Sequence, residues 1–113
     1  MKRYKLTELA AGDIKGISDY TGANFGNPMR KTYNELIRLG VASIVSEPRR
    51  RGVTVVRHSG ESLLTYHLRH VKQTQVKAPR HLIVYRLSAN GFITILRVLH
   101  ESMDISRHVD NDN

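Results

Sequence analysis

The residues best equipped for chemistry gather near the end of the chain. Arg97, His100, Asp104, Arg107 and His108 place two guanidinium groups, two imidazoles and a carboxylate within twelve positions. An imidazole titrates near neutral pH, so His100 or His108 can serve as a general acid or base. An arginine fork grips phosphate oxygens in pairs, a role open to Arg97 or Arg107. A structural account covers the same residues. Asp104 can cap a short terminal turn or pair with Arg107, while Met103 packs. Ser102, His100 and Asp104 spell out a nucleophilic triad, but alternate residues in so short a span rarely converge. No Gly-x-Ser-x-Gly or glycine-rich phosphate loop supports that triad.

The other polar clusters are weaker. His67 and His70 have an odd spacing, which on a strand sends them to opposite faces, and the nearest acid is Glu61. No metal site is expected from them, and no cofactor. The absence of cysteine excludes disulfides, thiolate ligands and cysteine nucleophiles. His81 opens an apolar run and is expected to satisfy a backbone group. Arg49, Arg50 and Arg51 follow Pro48. They can contact phosphates, each contact adding salt sensitivity, or complement the dipole of a helix that ends before them. Tyr4, Tyr20, Tyr33, Tyr85 and Phe92 fall in apolar patterns and are expected in the core, which leaves no stacking platform for single-stranded nucleic acid.

Charge is the unusual bulk property. The 113 residues carry 18 Lys and Arg against 10 Asp and Glu, a net of +8. Residues 48–86 hold nine bases and one acid, whereas residues 1–47 net +2 and residues 87–113 net −2. An excess this local marks a binding face for an acidic partner more readily than a diffuse bias would. At 40% hydrophobic and 25% charged, the composition is that of a globular chain, and one domain over residues 1–113 is expected. The longest wholly apolar run is Leu82 to Tyr85, so no membrane span is expected. Polar residues after Met1 interrupt any signal-peptide core, and a cytoplasmic setting is the simplest expectation.

These residues must be held by a small set of elements. Tyr4 to Leu6 reads as an opening strand. A helix over about Leu9 to Asn24 follows from Ala10, Ile14, Ile17 and Thr21, with Thr7 as its N-cap and Gly26 as a left-handed stop. Gly12 and Gly16 each weaken that helix by roughly 1 kcal/mol relative to Ala. A second helix starts with Asn27 as N-cap and Pro28 in its first turn, runs along Met29, Tyr33, Leu36, Ile37, Val41 and Ile44, and ends before Pro48. The short link makes the two an antiparallel hairpin. Strands are expected over Val53–Arg57, Leu63–Arg69, His81–Leu87 and Phe92–Leu99, with a turn at Ser88-Ala89-Asn90-Gly91 between the last two. Lys72 to Pro79 is a basic connection, and Asp110 to Asn113 a frayed tail. The result is an α+β fold, β-α-α-β-β-β(-β), with the helix hairpin packed on one face of a mostly antiparallel sheet.

This order resembles the RelE/ParE superfamily of toxins from bacterial type II toxin–antitoxin systems. Tyr4-Lys5-Leu6-Thr7, Ala10, Asp13-Ile14, Ile17, Tyr20-Thr21, Gly26 and Tyr33 follow its N-terminal pattern. His81 to Arg86 and the run from Arg97 to His108, with Met103-Asp104 and Arg107-His108, resemble the C-terminal signature of the ParE branch. Val53 to Pro79 is longer than in common ParE sequences. The resemblance implies a toxin that inhibits DNA gyrase by binding, neutralised by a cognate antitoxin, ParD-like or other, in a hetero-oligomer. The antitoxin is expected in an apolar groove between helices and sheet. Candidate residues for target or antitoxin binding are Arg49, Arg50, Arg51, Arg69, Arg86, Arg97, His100, Met103, Asp104, Arg107 and His108. The RelE branch implies the alternative, a ribosome-dependent mRNA endonuclease, with His100, Arg97, Arg107 and His108 as its catalytic set.

Overall fold

The computed structural model describes residues 3–109. Its elements are β1 (Tyr4–Leu6), α1 (Glu8–Phe25), α2 (Asn27–Ser46), β2 (Val53–His58), β3 (Glu61–His67), a 3-10 turn (Leu68–His70), β4 (His81–Leu87), β5 (Ile93–His100) and α3 (Ile105–Val109). The five strands form one sheet in the order β1-β5-β4-β3-β2. Only β1 runs parallel to its neighbour, and the other pairings are antiparallel. This is the expected α+β arrangement, with α1 and α2 on one face. The expected tail, Asp110 to Asn113, lies outside the described residues.

The helix hairpin follows from local chemistry. The Thr7 hydroxyl accepts from the Ala10 N–H (3.0 Å) and donates to the Leu96 carbonyl (2.8 Å), so the N-cap of α1 also fixes that helix to β5. Gly26 alone joins the helices, at φ 89° and ψ 166°. Its φ is positive as expected, but its ψ is extended rather than left-handed helical. Gly26, not Asn27, is therefore the N-cap of α2, and it has no capping side chain. Asn27 is already helical, and its side-chain oxygen accepts from Arg30 Nε (3.0 Å). Asn34 Nδ2 donates to Ser18 Oγ (3.1 Å), and Gly22 lies against the Arg30 side chain, a register that makes the pair antiparallel.

Each sheet face has its own apolar cluster. On the helix side Tyr33, Leu36, Ile37, Val41 and Ile44 of α2 pack on Leu64, Tyr66, Ile83, Tyr85, Ile93 and Ile95. On the other face Leu63, Val84, Leu96 and Leu99 are covered by Val109 and Ile105 of α3. Central strands with two covered faces need the continuous apolar runs seen in β4 and β5. The α2 backbone comes close to the sheet at Gly40, where a Cβ would stand 2.6 Å from Leu68 Cδ2. The Tyr85 hydroxyl donates to the Pro48 carbonyl (2.6 Å) and holds the end of α2 over the sheet, and burial raises the pKa of that hydroxyl.

Two local departures shape the site. The expected third strand stops at His67 rather than Arg69, because the His67 ring accepts the Arg69 N–H on Nδ1 (3.0 Å) and turns the chain. A bulge falls where the β4 register slips between Val84 and Tyr85, with Val84 opposite Arg97 and Tyr85 opposite Ile95. Leu96 and Arg97 therefore share the outer face, which re-aims the arginine toward the sheet edge. No helix among the described residues is long and apolar enough to cross a membrane.

Candidate functional site

An open groove of about 730 Å³ lies between α1, the first turns of α2, residues 76–81 and the end of β5. Gly12, Gly16 and Tyr20 bring one face of α1 to it, beside the stripe that packs on the sheet. A Cβ on Gly12 or Gly16 would meet nothing within 4 Å, so the fold itself does not require these glycines. Phe25, Met29 and Met103 continue the apolar lining. Tyr20 is 63% exposed and Phe25 67%, with their rings edge to face at 6.4 Å. Tyr20 was expected in the core. It follows Ile17 by three positions on α1 and lines the groove, exposed, rather than entering the core. Large exposed aromatics on a groove rim mark a binding surface.

A polar cluster closes one end. His81 and His100 are register partners across β4 and β5, and their rings meet edge to face at 5.3 Å. Tyr33 reaches the cluster from α2, with its hydroxyl 2.7 Å from His81 Nδ1. His81 thus bonds a side chain rather than the backbone group expected of it. The Tyr33 oxygen also accepts the Arg80 N–H (3.2 Å). Burial raises the Tyr33 pKa, partly offset by the backbone N–H groups of Arg80 and His81. Burial lowers His81 to about 4, with the neighbouring His100 and His67 adding to the effect, so the ring is neutral at pH 7.

Glu101 organises the rim. One of its oxygens lies 2.7 Å from His67 Nε2 and the other accepts from Arg80 Nη1 (2.8 Å). Bonds to Arg80 and then His67 hold its carboxyl down to about 2. Because His67 Nδ1 already accepts the Arg69 N–H, its ring proton faces Glu101.

The sequence-selected residues separate into three places. His100 and Met103 line the groove. Arg97, Asp104, Arg107 and His108 surround α3. Arg97 bonds both Asp13 oxygens (2.7 and 2.8 Å) and the His108 carbonyl (2.6 Å). Asp104 caps α3 by accepting from the Ser106 N–H (3.1 Å) and hydroxyl (2.9 Å), as one of its two structural readings expected. Arg107 is exposed. The remaining selected cations do not line the groove. Arg50 donates to the Ser43 carbonyl (3.2 Å) and rests 6.0 Å over the Tyr66 ring. Arg86 pairs with Glu61, while Arg49, Arg51 and Arg69 are exposed.

His100 is also joined to Ser102, whose hydroxyl lies 2.8 Å from Nδ1, but Asp104 is turned to Ser106, so no triad forms. His70 is on the 3-10 turn rather than a strand, tilted against Tyr66 at 5.7 Å. Tyr33, Arg80, His81 and Glu101 were not selected from the sequence. Their signal is the pairing of the His81 and His100 strand ends, which appears only once the register of β4 and β5 is known.

A family model for the ParE toxin of the type II toxin–antitoxin system, parDE, matches residues 4–105. A comparison with curated proteins gives no match.

Proposed function

The chain belongs to the ParE toxin family of type II toxin–antitoxin systems, and from that premise we propose that it inhibits DNA gyrase by binding. A cognate antitoxin, the partner that the family implies, silences it by occupying the groove. The observation that carries a binding role over a catalytic one is the commitment of Arg97. Its guanidinium is consumed by Asp13 and the His108 carbonyl, so it offers no phosphate fork beside His100. The groove supports the antitoxin's place, since an open, mostly apolar trough with aromatic rims suits an amphipathic helix. The exposed cations Arg49, Arg51, Arg69 and Arg107 are the reading's contacts for the target. The gyrase target itself rests on the family resemblance, and a cytoplasmic setting goes with it.

A supercoiling assay tests the proposal. Purified chain in excess is expected to stop supercoiling by gyrase, and equimolar antitoxin to restore it. Unimpaired supercoiling at excess chain would sink the gyrase reading.

One observation favours a second reading, a ribosome-dependent mRNA endonuclease. His81 and His100 form an imidazole pair beside Arg80 on an open groove, the chemistry an acid–base pair would use. That reading requires translation-linked mRNA cleavage that disappears with His100→Ala.

A further inference from the structure

The bonds around the two groove histidines fix where their ring protons lie. His100 Nδ1 accepts the Ser102 backbone N–H (3.1 Å), so the neutral ring carries its proton on Nε2. The Tyr33 oxygen takes the Arg80 N–H and faces the His81 backbone N–H as well, which directs its own proton to His81 Nδ1 and again places the ring proton on Nε2. Neither Nε2 has a partner among the described residues. Arg80 stands beside them, its side chain 63% exposed, with only Nη1 spent on Glu101.

The acids nearby are already engaged. Asp13 holds Arg97, and Glu101 holds His67 and Arg80. Among the described residues the groove end therefore presents donors of His81, His100 and Arg80 while the neighbouring carboxylates are engaged, and what complements it is an anion. The remaining lining, with Ile17, Tyr20, Phe25, Met29 and Met103, is apolar. Nucleic-acid interfaces are polar and rich in cations, whereas Arg80 is the one Lys or Arg in this lining among the described residues. A protein helix with one apolar face and one acidic residue fits both parts.

Resting on the antitoxin reading above, we propose that the groove receives an amphipathic helix of the antitoxin and that a carboxylate on this helix accepts from the Nε2–H groups of His81 and His100 beside Arg80. The helix covers Tyr20, Phe25 and Met103 with its apolar face, and the carboxylate sets its register. His81 and His100 thereby select which antitoxin the groove accepts. An amide in place of the carboxylate loses the charge-assisted bonds.

The test is titration calorimetry of the chain with its purified cognate antitoxin. The same titrations use antitoxin variants with single Asp→Asn or Glu→Gln changes. His100→Phe keeps the ring and removes the donor, whereas His100→Gln keeps an N–H at the same reach. With native antitoxin, His100→Phe is expected to weaken binding about 10- to 100-fold, and His100→Gln only a few-fold. With one neutralised antitoxin variant, the additional loss from His100→Phe is expected to vanish, the mark of a direct pair. Phe25→Asp reports on the groove reading separately. If Phe25→Asp abolishes binding while His100→Phe costs the same with every antitoxin variant, the groove stands and the carboxylate pairing is overturned. If Phe25→Asp has no effect, the antitoxin lies elsewhere and both fall. Cleavage of an RNA oligonucleotide by the wild-type chain but not by His100→Phe would assign the histidines to phosphodiester chemistry and overturn the proposal.

Discussion

Arg97 and Asp13, 84 positions apart in the chain, form a two-pronged ion pair with N···O distances of 2.7 and 2.8 Å. The same carboxylate accepts the Val98 backbone N–H (3.0 Å), and the same guanidinium donates to the His108 carbonyl (2.6 Å). β1 pairs with Ile93 to Ile95 of β5, and the β5 edge beyond Ile95 is met by α1. Thr7 takes the Ile95 and Leu96 carbonyls there, and Asp13 takes the Val98 N–H. One residue pair thus ties the first helix, the last strand and the terminal helix together.

Removing either partner should unfold the chain more readily. The two side chains are 15% and 16% exposed, and stranding one charge of such a pair costs about 2–4 kcal/mol after allowance for their residual exposure. Arg97→Met and Asp13→Asn are both expected to lower the unfolding free energy by that amount, read as a lower urea midpoint. If Arg97 instead served as a phosphate fork, Arg97→Met would lose activity with its midpoint unchanged.

Glycine substitutions should separate two kinds of close surface. Gly16→Ala adds a methyl in open space and improves helix propensity, so the free chain should gain about 0.5–1 kcal/mol. The same methyl stands in the groove and should weaken the antitoxin complex. Gly40→Ala gains the same propensity but drives its Cβ to 2.6 Å from Leu68 Cδ2 and 3.1 Å from Ile83 Cδ1. Its expected net effect is a loss of about 1–3 kcal/mol. Denaturant curves on the two variants should move in opposite directions.

Acid should destabilise the chain in two stages. His81 is lowered from 6.5 to about 4, so between those values the unfolded chain binds a proton that the folded chain refuses. Stability from His81 is complete above 6.5 and is lost as pH falls toward 4. Glu101 is lowered from 4.5 to about 2, so its contribution is present above 4.5 and lost as pH falls toward 2. Melting temperature followed against pH should decline through both windows. His81→Gln should flatten the upper window and Glu101→Gln the lower one.

Much of the fold was legible because its signals are local. The apolar stripe of α2, the Thr7 cap, the Asn90-Gly91 turn and the two-sided apolar runs of β4 and β5 each follow from neighbouring residues. The misplacements were also local. Gly26 supplies by its own backbone freedom the start expected from an Asn27 cap, and the His67 ring ends its strand by bonding the Arg69 N–H. The groove was legible only as a consequence of the family resemblance. Gly12, Gly16 and Tyr20 read as two weak points and a core tyrosine, because the face they share becomes a surface only when α1 docks on β5. His81 and His100 carry no sequence spacing that predicts their contact. The bulge that turns Arg97 toward Asp13 is equally invisible before the strands are paired.

The central claim is that this toxin acts by occupying its target, not by turnover. The direct measurement is the time course of gyrase supercoiling after mixing with substoichiometric and excess chain. The account predicts inhibition that reaches its final level on mixing, scales with the fraction of gyrase occupied and is reversed by antitoxin. Inactivation by substoichiometric chain that deepens with incubation, or supercoiling that continues undiminished at excess chain, would contradict it.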